Sequence, residues 1–153
     1  MKKDTFLIKA NNKELKNICF LIRKLVFCKE QNVSQALEID TLDKTAQHYL
    51  LKLNDDFVAT GRVYFKEQDN KEVAYIGRVA VLKEDRGKGL GEVLMQGMIK
   101  DIKENSQCKK VALSAQVYAK EFYERFGFAS YGSTFMDANI PHINMQMTLS
   151  SNY

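Results

Sequence analysis

The sequence predicts a mixed α/β fold, a largely antiparallel central sheet with helices on both faces. Three observations predict it. The 153-residue length suits one domain spanning residues 1–153 around a single core. The apolar pattern changes period along the chain, giving the order strand, helix, antiparallel meander, helix, strand, helix and two final strands. That order is not a repeated strand–helix–strand series, which disfavours a doubly wound nucleotide-binding sheet.

The elements follow one by one. "TFLIKA" reads as a first strand, and Asn11 or Asn12 can cap the helix after it. In that helix Leu15, Ile18, Cys19, Ile22, Leu25 and Val26 fall on one face. Asp40 to Gln47 reads as a polar connection or a short helix. "HYLLKLNDDFVATGRVYF" gives two strands around the turn Asn54-Asp55-Asp56, and "EQDNKE" gives a second turn into the strand "VAYIGRVAVL". Leu90, Val93, Leu94, Gly97, Met98 and Ile102 line one face of the next helix. "KKVALSAQ" is a buried strand. "YAKEFYERFGF" is a helix stopped by Gly127 in the C′ position. "ASYGSTF" and "HINMQMTL" flank a loop at residues 136–141 and pair antiparallel.

Composition narrows the function classes. A hydrophobic fraction of 45% with 27% charged residues matches an ordinary globular protein. No apolar run approaches the roughly 20 residues that span a bilayer, so no membrane is expected. The first residues carry two lysines but no apolar stretch or small-residue cleavage site, which argues against a leader. Cys19, Cys28 and Cys108 are odd in number and lack C-x-x-C spacing, against both a disulfide framework and a zinc site. No metal is expected, and a reducing cytoplasm is the simplest home. The net charge of +4 is spread along the chain without a basic cluster, so no nucleic acid is expected either. An anionic small ligand remains compatible.

The stretch "EDRGKGLGEVL" places Gly87, Gly89 and Gly91 two apart between a strand and a helix. It fails the Walker A pattern, because Lys88 sits between glycines and no Ser or Thr follows. It also fails G-x-G-x-x-G, because Leu90-Gly91 follows Gly89. A plain glycine-rich turn and the pattern R-x-x-G-x-G, filled by Arg86, Gly89 and Gly91, both remain. A strand, such a loop and a helix N-terminus aim backbone N–H groups at one point, which suits a diphosphate.

At this junction the chain resembles the GNAT superfamily of N-acetyltransferases, in which the loop cradles the pyrophosphate of acetyl-coenzyme A. The resemblance runs nearly end to end. It implies that Arg86, Gly87, Lys88, Gly89, Leu90 and Gly91 hold the diphosphate. It implies that free backbone groups of a splayed strand, at Val79, Ala80 and Val81, bond the pantetheine arm and the acetyl carbonyl. "QVYAKEFYERFGF" matches the family's N-x-x-A-x-x-x-Y-x-x-x-G-F, with Ala119, Tyr123, Gly127 and Phe128 in place and Gln116 where asparagine is usual. Arg23, Val26, Phe27, Glu30 and Gln31, then Asp40, Asp43 and His48, look like the ElaA-like branch. So do Phe135, Asp137, Ile140, Pro141, His142 and Met145. The Arg-Val-Phe-Glu segment also resembles acyl-homoserine-lactone synthases, which lack a well-formed loop of this kind.

Acetyl transfer needs a neutral nitrogen, a polarised carbonyl and a protonated leaving thiolate. A lysine-like amine has a pKa of about 10.4, so its proton must be removed. A backbone N–H at Val79 or nearby can stabilise the developing oxyanion. Tyr123, with a reference pKa near 10, can protonate the thiolate, or else it packs beside Phe122 and Phe126. Arg23 contacts the substrate or pairs with Glu30 or Asp40. Glu30 and Asp137 accept a cationic substrate or are solvated, and His142 meets substrate or braces the last hairpin. His48 reads as structural, and Cys28, among apolar helix neighbours, is an unconvincing nucleophile.

The expected function is an acetyl-coenzyme A-dependent N-acetyltransferase acting by direct attack. One alternative is a coenzyme A-binding sensor without turnover. Another is a homoserine-lactone-synthase-like acyltransferase using S-adenosylmethionine and acyl carrier protein, which the intact loop disfavours. The acceptor, whether small amine, amino sugar, peptide N-terminus or protein lysine, is open, and so is a homodimer.

Overall fold

The computed structural model describes residues 4–150, so the lysines at positions 2 and 3, on which the leader expectation partly rests, lie outside them. The strands are β1 (Thr5–Lys9), β2 (Gln47–Leu53), β3 (Asp56–Gln68), β4 (Lys71–Val81), β5 (Lys110–Gln116), β6 (Ala129–Asp137) and β7 (Ile140–Thr148). The α-helices are α1 (Lys13–Arg23), α2 (Gln35–Glu38), α3 (Leu90–Asn105) and α4 (Lys120–Glu124). One sheet takes the strand order β1-β2-β3-β4-β5-β7-β6. Pairing is antiparallel at β1–β2, β2–β3, β5–β7 and β6–β7 and parallel at β4–β5. A parallel pair needs a crossover, and α3 supplies it. The mixed sheet is the one the sequence predicts.

The chain divides into two compact units, one holding the residues up to Tyr64 with Arg78–Met98, the other Phe65–Gly77 with the residues from Ile99 onward. In the first unit Asn12 caps α1, its side chain accepting from the Leu15 N–H at 2.8 Å. Cys19, Ile22 and Val26 bury the expected face against Ala10, Leu50 and Ala80. Leu25 departs from that face and is 39% exposed. The reason is a π-helical continuation, Lys24–Glu30, in which the Gln31 N–H reaches back five residues to the Val26 carbonyl at 3.1 Å. The wider turn resets the stride, so Val26 stays inside and Leu25 turns out. Beyond it, Asp40 and Asp43 form a reciprocal capping box around a 3₁₀ turn, Thr41–Lys44.

In the second unit both hairpin turns are two residues long with positive φ at both positions, Asp69-Asn70 (51° and 65°) and Ala138-Asn139 (51° and 63°). The loop expected at 136–141 is therefore shorter, and β6 and β7 run almost to its tip. The last helix is shorter too. A 3₁₀ turn, Val117–Ala119, leads into α4, whose C-cap is Arg125. Gly127 thus lies one position beyond C′, with φ +105°. A Cβ there would also press on the Met147 sulfur at 3.3 Å.

Candidate active site

The glycine loop lies in the first unit and begins with a distortion of β4. Arg78 has φ +52°, a left-handed residue within a strand that rotates the backbone following it. Ala80 then points into the core, while Val79 and Val81 are half-buried. A 3₁₀ turn, Lys83–Asp85, delivers the chain to Arg86. Gly87 and Gly89 have φ of +78° and +75°, which explains the alternate glycines, since L side chains rarely adopt this region. A Cβ at Gly87 would have nothing within 4 Å, so the loop surface is open there. The Gly89 carbonyl accepts the first helical bond of α3, from Val93 at 3.2 Å, and buried Leu90 anchors the helix start. Gly91 lies in the first turn, where N–H groups have no intrahelical acceptor and the helix dipole is positive. The arrangement is suited to an anion.

Two cations flank it. Arg86 donates from Nε to the Val81 carbonyl at 3.0 Å and from both terminal nitrogens to Glu30, at 2.5 and 2.7 Å. That bond holds the Glu30 carboxyl below the ordinary range. Lys88 reaches Asp85 at 3.2 Å. The π-helical segment ends at Glu30, so the structure joins two residues the sequence left apart.

Arg23 corrects its expectation. It is 1% exposed and bonds internally, to Glu38 through Nε at 2.8 Å and to Asp43 at 2.7 and 3.0 Å. A fourth bond goes to the Glu38 carbonyl at 2.8 Å, so its donors are spent inside the fold and not on a substrate. Its partners are also neither Glu30 nor Asp40. Arg62 bonds Asp40 and Asp43, and Arg78 bonds Glu38 and Asp40. His48 is buried and donates from Nε2 to the Asp43 carbonyl at 2.9 Å. Sequence reading missed Glu38, Arg62 and Arg78 in this cluster. The available signal was Arg62, a charge inside the apolar run of β3.

The remaining candidates lie in the second unit. Gln116 closes β5 opposite His142 of β7. Tyr123 is half-buried on α4, edge-on to Phe122 at 5.0 Å and Phe128 at 6.3 Å. Burial, with Tyr118 adding to it, pushes its phenol well above the usual range, so it remains a proton donor. His142 shares a bond from Nδ1 to the Ile140 carbonyl at 2.7 Å, and its ring stacks on Phe135 at 6.0 Å and 27°. Asp137 is exposed at the end of β6, in register with Ile140. Cys28, back in the first unit, is half-buried, and burial pushes its thiol up, which makes it a poor nucleophile. Among the described residues no group of three or more His, Cys, Asp and Glu is placed to hold a metal, and no helix is long and apolar enough to cross a membrane.

Comparison with known proteins adds to this geometry. The acetyltransferase (GNAT) domain family matches residues 11–149. The chain is similar to the uncharacterized N-acetyltransferase YjcF of Bacillus subtilis (strain 168), 33% identical over 140 residues, 91% of this chain and 96% of that protein. It is similar to protein ElaA of Escherichia coli (strain K12), 35% identical over 125 residues, 81% of each. The crystal structure of Escherichia coli ElaA matches with a TM-score of 0.80 and 30% identity, over 94% of this chain and 97% of that one. A GNAT family acetyltransferase from Elizabethkingia anophelis, crystallised with acetyl-CoA bound, shares the fold at a TM-score of 0.71 and 19% identity, over 97% of this chain and 100% of that one.

Proposed function

The chain belongs to the GNAT acetyltransferase family, and on that premise we propose that it is a cytoplasmic enzyme moving the acetyl group of acetyl-coenzyme A onto a primary amine. The observation that carries this reading is the loop from Arg86 to Gly91. Its left-handed glycines, open surface and helix N-terminus fit a diphosphate. Bound there, acetyl-coenzyme A supplies an activated thioester. The family match covers parts of both compact units, in keeping with one acetyltransferase domain over residues 1–153.

The chain's own residues then have separate tasks. Backbone N–H groups of Gly87 to Gly91, with Lys88 and Arg86, hold the diphosphate. Backbone groups of Val79, Ala80 and Val81, which follow the left-handed residue Arg78, bind the pantetheine arm and polarise the acetyl oxygen. Gln116 adds a contact from the end of β5. Tyr123 protonates the departing thiolate, its phenol kept protonated by burial. Asp137 and His142 serve the amine acceptor, whereas Glu30, which the sequence also offered for that role, is engaged by Arg86 beside the loop. No covalent enzyme intermediate is needed.

Calorimetry with acetyl-coenzyme A, followed by thiol release with spermidine, glucosamine, a free peptide N-terminus and a lysine peptide, tests the reading. Binding plus release with at least one amine is expected. Binding without release leaves a coenzyme A-binding protein without turnover, and absence of binding removes the loop assignment. Gly89→Val should abolish binding. Because its φ is +75°, that change also costs about 1–3 kcal/mol of stability, so a thermal melt accompanies the titration.

A further inference from the structure

We propose that His142 is the general base that takes the proton from the attacking amine, an inference that rests on the acetyl-transfer reading. Side chains alternate along a strand, so His142 and Asn144 of β7 share one face, and Ile143, Met145 and Met147 the other. Residues directly opposite in an antiparallel ladder share a face as well. Register therefore adds Gln116 and Ser114 of β5, and Phe135 and Tyr131 of β6, to the face of His142. The 2.7 Å bond between Ser114 and Asn144 agrees with that placement. This face is polar and aromatic. The other buries Leu113, Ala115 and Met145.

The helix carrying Tyr123 ends on that other face, because Gly127, just past α4, lies against Met147. Proposed acid and proposed base thus belong to opposite faces of the same strands. Gln116 links the two: its side chain shares the face of His142, and the next residues lead into α4.

The ring's hydrogen bond sets its tautomer. A carbonyl oxygen only accepts, so Nδ1 carries the proton that Ile140 receives, and Nε2 of the neutral ring keeps a lone pair. Stacking on Phe135 holds the ring plane. Facing it are Gln116 from β5 and Phe135 from β6, both uncharged. Tyr118 belongs to the 3₁₀ turn packed against β7, and Asp137 to the hairpin end. The proton balance closes. The amine nitrogen bonds to the acetyl carbon and becomes acidic as its lone pair is committed, so its proton passes to Nε2. The carbon–sulfur bond breaks, and sulfur takes the proton of the Tyr123 hydroxyl. Imidazolium then returns a proton to solvent, and the phenol regains one.

The test uses His142→Gln and whichever panel amine the wild type turns over fastest. Its kcat/KM for the amine should fall about 10²–10⁴-fold, and the rise of rate with pH on the acid side should vanish. Affinity for acetyl-coenzyme A should hold within about twofold, because the base does not bind the donor. Imidazole in solution should partly rescue His142→Gly. Independently of turnover, nitrogen NMR of the wild type should find the neutral ring protonated at Nδ1. Protonation at Nε2 instead, or a His142→Gln enzyme within about threefold of wild type with its acid limb intact, overturns the proposal alone. A wild type that releases no thiol with any amine removes the acetyl-transfer reading and this base with it.

Discussion

The two units treat buried ionisable groups in opposite ways. In the first, Asp43 lies among guanidiniums: burial alone would raise its pKa, but hydrogen bonds from Arg23, the Asp40 backbone and Arg62 hold it well below the carboxylate range. In the second, Tyr123 lies among phenyl rings and among the described residues no cation answers it, so burial drives its phenol up. The desolvation is alike in kind, and the neighbour decides the sign. Glu38, Asp40 and Asp43 are held in ion pairs by Arg23, Arg62 and Arg78. Such a cluster organises a fold. Tyr123 keeps its proton, and a proton that is kept can be given.

Removing that proton should give the largest effect. Tyr123→Phe preserves the ring and both edge-on contacts, so folding should change little. If the hydroxyl serves only in the transition state, kcat should fall about 10²–10⁴-fold, with KM for the donor within a few-fold. The loss should shrink at low pH, where solvent more readily protonates a thiolate whose reference pKa is near 8.5. Full activity at every pH would make Tyr123 a packing residue, and the contrast between the units would lose its chemical meaning.

The charged half breaks differently. Asp43→Asn leaves Arg23 and Arg62 facing a neutral amide in the interior. Removing one member of a buried ion pair typically costs about 3–5 kcal/mol, because the remaining charge is uncompensated. Urea unfolding should show that loss. The pH dependence has a definite sign. The folded carboxyl lies below the unfolded value near 3.9, so its contribution is complete above that value and fades as pH falls through the lower, folded one. The gap between wild type and variant should therefore stay constant from pH 7 to 5 and narrow below about pH 4.

Which of these features the sequence reveals depends on their range. Periodicity is local, so the strand and helix order, the Asn12 cap and the glycine loop are all legible. Tyr123 is legible through its motif. The charge cluster is not, because Arg23 reaches Glu38 on α2 and Asp43 on the 3₁₀ turn after it, each only four residues long and too short to show a period. The π-helical turn is hidden for another reason. It starts with the same apolar stride as α1 and differs only in where the stride breaks, at Leu25. Ala138 hides the last turn, since alanine at φ +51° carries none of the signals that asparagine or glycine would. Arg78 behaves likewise inside a strand that otherwise reads as continuous.

The smallest expected effect lies where the comparison blurs, at the exposed pair of Glu30 and Arg86. Here a carboxylate is again answered by a guanidinium, but both side chains are open to solvent, at 31% and 41%. An exposed pair contributes about 0–1 kcal/mol, so Glu30→Gln should shift the unfolding midpoint hardly at all. Donor affinity should respond more clearly. Arg86 stays tethered by its Nε bond to the Val81 carbonyl, so losing Glu30 removes the carboxylate that both terminal nitrogens bond without releasing the side chain. It also removes a negative charge from beside the loop. Affinity for coenzyme A should rise about two- to fivefold, equivalent to roughly 0.4–1 kcal/mol. The gain should fade in about 1 M salt, where the Debye length is near 3 Å. Because Arg86 holds the Glu30 carboxyl below its ordinary range, the pair persists through that range and opens only at lower pH. Wild-type affinity should then approach that of the variant. A weaker-binding Glu30→Gln would instead make Glu30 the residue that orients Arg86 for the diphosphate, and the pair would belong with the fixed charges of the interior.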